Sequence, residues 1–206
     1  MTWILTSQGH EFDLALDTTN LYVLDDIASA LAQINRFTGH ALRPYSVAEH
    51  SLLCAHIAQQ QGLPAIVQAA ALMHDGHEAY VGDASSPAKA VLGDVWREFE
   101  NRHMKAVRER YGLVETFAKY RATLHHIDLI ALATERRDLI EYEPGRSSIW
   151  PSLDTKGQEV TPWSTDLTAL HRVRRNWATW REMFINTYRD LEHAARAETA
   201  ERQARV

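Results

Sequence analysis

Sulfur and positive charge are both scarce in this chain. A single cysteine, Cys54, excludes an intramolecular disulfide and gives no sign of an oxidising compartment. Lys and Arg number 22 against 27 Asp and Glu, and the formal net charge of −5 excludes a general nucleic-acid-polymer binder, which needs a basic footprint. No apolar run approaches the roughly 20 residues of a membrane span. The N-terminus lacks a basic segment followed by a long apolar stretch, so no signal peptide is expected and the cytoplasm is the expected location.

What remains is an ordinary globular composition. The 206 residues are enough for one domain with a substantial core. Histidine is the exception: eleven is a high count for this length, and several stand beside carboxylates.

Patterning predicts an all-α fold. Residues 2–6 and 11–14, on either side of Gly9, fit a small N-terminal β-hairpin. From Asp25 onward the period is helical. Asp25 or Asp26 caps a helix to about residue 34, and a loop runs to Tyr45. Ser46 followed by Glu49 is a capping-box pattern for a helix from Val47 to about residue 61. Gly62 closes it and Pro64 opens the next, almost wholly apolar to Met73 and therefore buried. Gly82 and Pro87 break the pattern. Helices are expected over 94–111 and 115–140, then an irregular excursion over 143–164. A final helix starts near Ser164 or Thr165. Its stripe of Leu170, Val173, Trp177, Trp180 and Phe184 reads as core, with Arg172, Arg174, Arg175 and Arg181 on a solvated flank. Residues 191–206 read as a frayed or projecting helix end. The expected domain is residues 1–206, with its core over about 25–190.

Four polar residues sit on apolar helix faces. His50 shares its face with Val47, Cys54 and Ile57, where a lone histidine is more often a core residue than a ligand. The buried helix before His74-Asp75 runs straight into two polar groups, and a buried carboxylate needs a counter-charge. Asp128, flanked by Ile127 and Ile130, repeats the problem. An arginine could answer each alone. Two imidazoles and two carboxylates from three helices suit one divalent transition metal (Mn, Co, Ni, Fe or Zn, with Mg less well suited), leaving room for a second. Glu78, one turn beyond His74 if the helix persists, and Asp83, turned back by Gly82, add acid–base capacity.

The pattern of His50, His74-Asp75 and Asp128 resembles the HD-domain phosphohydrolases. The stretches 46–51 and 74–89 are most similar to bacterial 5′-deoxynucleotidases and phage dATP triphosphohydrolases. The resemblance covers roughly residues 25–140. It implies a compact HD-type helical bundle with His50, His74, Asp75 and Asp128 as metal ligands. Glu78 and Asp83 would be catalytic carboxylates. Arg36 and Lys89 would bind substrate phosphate, and Phe37, where the deoxynucleotidases have tryptophan, would stack on base or sugar. The implied activity is attack of water, activated at the cation, on a phosphate of a deoxynucleoside mono- or triphosphate. The implied assembly is a homo-oligomer. A non-catalytic metal-binding or nucleotide-sensing domain is the alternative, and it has no need of Glu78, Asp83, Arg36 and Lys89. His77, His125 and His126 are expected to take no ligand role.

Overall fold

The computed structural model describes residues 1–15 and 19–204. It is an all-α bundle with one antiparallel hairpin, formed by β1 (Trp3–Leu5) and β2 (Glu11–Asp13), with Ile4 paired to Phe12. The helices follow as α1 (Leu24–Leu31), α2 (Val47–Gln60), α3 (Ala65–Leu72), α4 (Glu78–Val81), α5 (Ser86–Leu92), α6 (Asp94–Arg110), α7 (Val114–Lys119), α8 (Arg121–Leu139), α9 (Pro151–Asp154), α10 (Leu170–Val173) and α11 (Trp177–Ala204). No described helix is long and apolar enough to cross a membrane.

The alanine-rich α3 explains the packing. Small side chains let neighbouring helices approach on most sides, and α3 lies against α2, α7, α8 and α11. Val67, Ala70 and Leu72 have no exposure, and Ile57, Ile127 and Phe184 fill the surrounding layers. Gly62, in the left-handed conformation at φ 68°, ends α2 as a helix C-terminus commonly does. The α3 N-terminus receives the Glu198 carboxylate, which accepts the Ala65 N–H at 3.1 Å. Residues beyond Leu191, expected to fray or project, therefore continue α11 as far as Ala204 and touch back onto the core. Arg205 and Val206 lie outside the described residues.

Several helix boundaries differ from the sequence pattern. Asp25 and Asp26 lie in the first turn of α1, which starts at Leu24 and ends at Leu31. Pro87 opens α5 instead of breaking a helix, because a first-turn N–H has no partner to lose. The helix expected over 115–140 is two, α7 and α8, divided at Tyr120. The last long helix begins at Trp177, not near Ser164. Asn176 sets the break: its Oδ1 accepts the Thr179 N–H at 2.9 Å. That break turns Leu170, Val173 and Trp177 outward, so the continuous stripe is replaced by Trp180 and Phe184 as the core residues. The arginines of this region are not simply solvated. Arg181 pairs with Asp25 at 2.7 Å, and Arg172 with the buried Glu49 at 2.8 Å.

The hairpin bears on the site through α4. Phe12 stacks on Tyr80 with ring centroids 4.0 Å apart, while Tyr22 meets both rings edge-on. Asp26 holds the hairpin turn, accepting from Ser7 Oγ and the Gln8 N–H at 2.8 Å each and facing His10 Nδ1 at 3.1 Å. Burial works against this carboxylate's charge, but the hydrogen bonds from Ser7, His10 and Gln8 hold its pKa below the ordinary value. A depressed carboxylate contributes stability that is complete above its unfolded pKa and lost as pH falls through its folded one. Asp26→Ala is expected to cost about 2 kcal/mol and to strip exchange protection from the hairpin amides. In the wild-type protein the same protection should weaken only below the usual carboxylate range. Unchanged hairpin exchange in the variant would refute this role.

Candidate metal centre

The site forms where α2, the turn after α3, and α8 meet. α2 begins as its sequence signals, with Ser46 Oγ accepting the Glu49 N–H at 3.2 Å. The reciprocal arm of the capping box is absent. The Glu49 carboxylate instead accepts from both Arg43 terminal nitrogens at 2.8 Å and from Arg172, tying the loop before α2 to the segment before α11. One turn into α2, His50 is fully buried.

His74 and Asp75 lie beyond the end of α3, on successive turns rather than on a continuing helix. Gly76 N–H donates to the Met73 carbonyl at 3.0 Å and Glu78 N–H to that of Asp75 at 2.9 Å. Glu78 therefore reaches the site by a folded-back turn, not by the helical one-turn spacing. Gly76 eases this passage: a β-carbon would sit a tight 3.1 Å from the Met73 carbonyl oxygen and 3.3 Å from the Val107 side chain. Gly82, at φ 84°, ends α4 in a conformation that favours glycine and turns the chain toward Asp83.

The decisive geometry concerns ring nitrogens. His50 Nδ1 faces a carboxylate oxygen of Glu135 at 2.6 Å, and His74 Nδ1 faces the Ala71 carbonyl at 2.8 Å. Both partners only accept, so each Nδ1 carries a hydrogen, and when the ring is neutral its Nε2 is left with a lone pair. Those two Nε2 atoms face each other at 3.1 Å. Asp128 Oδ1 lies 3.3 Å from His50 Nε2 and 3.8 Å from that of His74, and Asp75 Oδ2 lies 3.6 Å and 3.1 Å from the same atoms. Lone pairs and carboxylates converging on one point repel unless a cation or protons sit among them. The donor chemistry and spacing are those of a group that could hold a metal ion. The group of donor atoms lying within 4.8 Å of one another is His50, Cys54, His74 and Asp128; it contains Cys54, which the sequence did not offer, and the expected ligand Asp75 stands beside it rather than in it.

Asp128 departs from the sequence expectation of a buried carboxylate. Its side chain is 35% exposed, so the centre opens to solvent beside it. The surroundings favour positive charge here, carried by protons on the rings or by a metal ion that displaces them. Burial opposes protonation of His74, yet Asp75, Cys54 and Asp128 raise its pKa well above the ordinary value; burial and Arg36 oppose it at His50, which Cys54, Glu135 and Asp128 raise likewise.

Of the remaining predicted residues, Arg36 reaches the centre directly, while Glu78, Asp83 and Lys89 interact electrostatically with its Asp75. Arg36 Nε and a terminal nitrogen donate to Glu135 at 3.2 and 3.1 Å, and its other terminal nitrogen stands 3.7 Å from Asp75. Glu78 is almost wholly buried, with Oε2 unpartnered. Burial, then Asp75 and Asp83, push its pKa well above the carboxylate range, against Arg36 and Lys89. Asp83 is raised by burial and by Asp75, while Arg36 and Lys89 oppose. Lys89, on α5, donates to Glu100 at 2.6 Å and lies 3.8 Å from Glu78. His77 joins Glu78 and Glu100 in a second group of metal-type donors, where the Lys89 ammonium already supplies positive charge. His125 and His126 are exposed and belong to neither group.

Phe37 follows Arg36 in a left-handed conformation, φ 56°, as does Thr38 at φ 54°. Non-glycine residues there are uncommon, and a β-branched one is an outlier. The turn sets the Arg36 guanidinium carbon 5.4 Å from the Phe37 ring centroid, and Phe37 lies 6.4 Å from Trp150. Sequence reasoning missed Trp150, which the irregular 143–164 excursion carries, and Glu135. The signal for Glu135 was present: it stands seven residues after Asp128, two turns along one face of α8.

An all-α bundle with a His/Cys/Asp cluster able to hold a metal ion is thus the class that fold and site define. The chain is 38% identical over 154 residues to YfdR, an uncharacterized protein of Escherichia coli (strain K12), covering 75% of this chain and 80% of the relative. It belongs to the same family as that protein. An uncharacterized protein of Rhodobacter capsulatus is 37% identical over 116 residues, 54% of this chain and 59% of its own length. No family model matches the chain.

A cation that binds only the folded state stabilises it by mass action, about 2.7 kcal/mol at a hundredfold excess over Kd. Thermal unfolding with Co²⁺ or Mn²⁺ is therefore expected to shift upward by several degrees, and a chelator to reverse it. His74→Ala should abolish the shift. A metal-dependent shift that survives His74→Ala would place the ion elsewhere.

Proposed function

We propose that this chain is a divalent-metal-dependent phosphohydrolase of the HD type, acting on (deoxy)nucleoside phosphates. The observation that carries the reading is the convergence of two imidazole nitrogens and two carboxylates on one partly open point, with Arg36 and Lys89 beside it. A divalent cation held there supplies Lewis acidity toward a phosphate and an attacking water.

The chain's own groups supply the rest. The oxygen of water joins phosphorus as a P–O ester or anhydride bond breaks. Glu78, in its ionised form, takes on its unpartnered oxygen the proton that the water loses. Asp83, whose pKa is raised, donates a proton to the departing oxygen, and the proton taken by Glu78 returns to solvent as Asp83 regains one, so that both carboxyls are restored. Arg36 turns its planar fork of donors from Glu135 toward phosphate oxygens, and Lys89 adds a point charge. Phe37 and Trp150 offer aromatic faces at the rim for a base or sugar.

One observation favours the non-catalytic, nucleotide-sensing alternative: both cations are already paired, Arg36 with Glu135 and Lys89 with Glu100. The two readings separate in one assay. Mono-, di- and triphosphates of ribo- and deoxynucleosides are incubated with Co²⁺-, Mn²⁺- or Mg²⁺-loaded protein, and products are resolved by chromatography. Release of phosphate, pyrophosphate or triphosphate is expected. Glu78→Gln should retain metal and lose about 10²- to 10⁴-fold in rate, and Arg36→Ala should raise KM. Metal-loaded protein that binds nucleotides but releases nothing would overturn the enzymatic reading.

A further inference from the structure

Cys54 stands one helical turn after His50, on the same face of α2, with almost no exposure. Its Sγ lies 3.6 Å from His50 Nε2, the atom whose lone pair points into the centre. It also falls within 4.8 Å of the donor atoms of His74 and Asp128.

The spacing is that of two ligands on one ion. Metal–sulfur and metal–nitrogen bonds of about 2.3 and 2.05 Å, meeting at the roughly 110 to 120° found in four- and five-coordinate ions, separate sulfur from nitrogen by roughly 3.5 to 3.8 Å. In the metal-free protein the same 3.6 Å suits a thiol hydrogen bond to Nε2, and that thiol hydrogen is the one a metal would displace. The sequence had offered a nitrogen and oxygen donor set with no sulfur, because Cys54 reads as one more apolar neighbour on the α2 face. The fold turns that face toward the site.

We infer that Cys54 is a metal ligand, which makes the centre a sulfur-containing site selective for borderline-soft ions such as Zn²⁺ and Co²⁺ over Mg²⁺ and Mn²⁺. Binding replaces the thiol hydrogen: the S–metal bond forms, the S–H bond breaks, and the proton leaves to solvent. Sulfur donation follows the general preference of thiolates for softer cations. The inference rests on the cation proposed at His50, His74, Asp75 and Asp128. It does not rest on phosphohydrolysis.

The test is optical and calorimetric. Metal-free full-length protein is titrated with Co²⁺ while visible and near-ultraviolet spectra are recorded. Ligand-field bands with a sulfur-to-cobalt charge-transfer band are expected. Cys54→Ser and Cys54→Ala should both keep the ligand-field bands and lose the charge-transfer band. Calorimetry in buffers of different ionisation enthalpy should count one fewer proton released by either variant. Using both variants guards against one that fails to fold. Ligand-field bands without charge transfer in the wild-type protein would overturn the sulfur ligand and leave the cation site standing. Charge transfer that persists in both variants would also overturn it. Absence of any Co²⁺ binding would overturn the sulfur ligand and the cation site together.

Discussion

The Nε2 atoms of His50 and His74, held 3.1 Å apart, are the constraint around which the structure is organised. Each ring has its other nitrogen committed to an acceptor, Glu135 for one and the Ala71 carbonyl for the other. Neither ring can turn away without orphaning a buried partner, which costs more than the hydrogen bond itself contributes. Asp75 and Asp128 then aim further negative charge at the same point. Carboxylates gathered this closely around two imidazole rings favour positive charge at the point between them.

The fold delivers these groups by interrupting helices rather than extending them. α3 supplies the buried scaffold and stops at Leu72, so that the turns over 73–77 swing His74 and Asp75 under α2. Gly76 permits the close passage past Met73 and Val107, and Gly82 redirects the chain to Asp83. On the opposite rim, Arg36 precedes two left-handed non-glycine residues, and local strain of that kind concentrates where a side chain must be held in one place. Glu135 joins the two halves, fixing the tautomer of His50 and holding Arg36 within reach of Asp75. Such outer partners orient ligands and tune them.

Much of this was legible in the residues. The Ser46 cap, the apolar run into His74-Asp75, and the N-terminal hairpin all appear where patterning puts them. The four positions on apolar faces do converge. What was not legible is pairing across the fold. Periodicity reports which face a residue takes, not what meets it. So Cys54 read as core packing, Glu135 went unnoticed, and Glu49 read as a cap when its carboxylate binds Arg43 and Arg172. Periodicity also runs through breaks. The apolar spacing from Leu170 to Phe184 looks continuous, but Asn176 caps a new helix and turns Trp177 outward.

The central claim is the place of the cation, and anomalous diffraction from crystals grown with Co²⁺ tests it most directly. Data collected on either side of the metal edge should show one dominant peak bonded to His50 Nε2 and His74 Nε2, with Asp75 and Asp128 oxygens in its coordination sphere. A peak lying only among His77, Glu78 and Glu100, or no peak at all, would contradict the account.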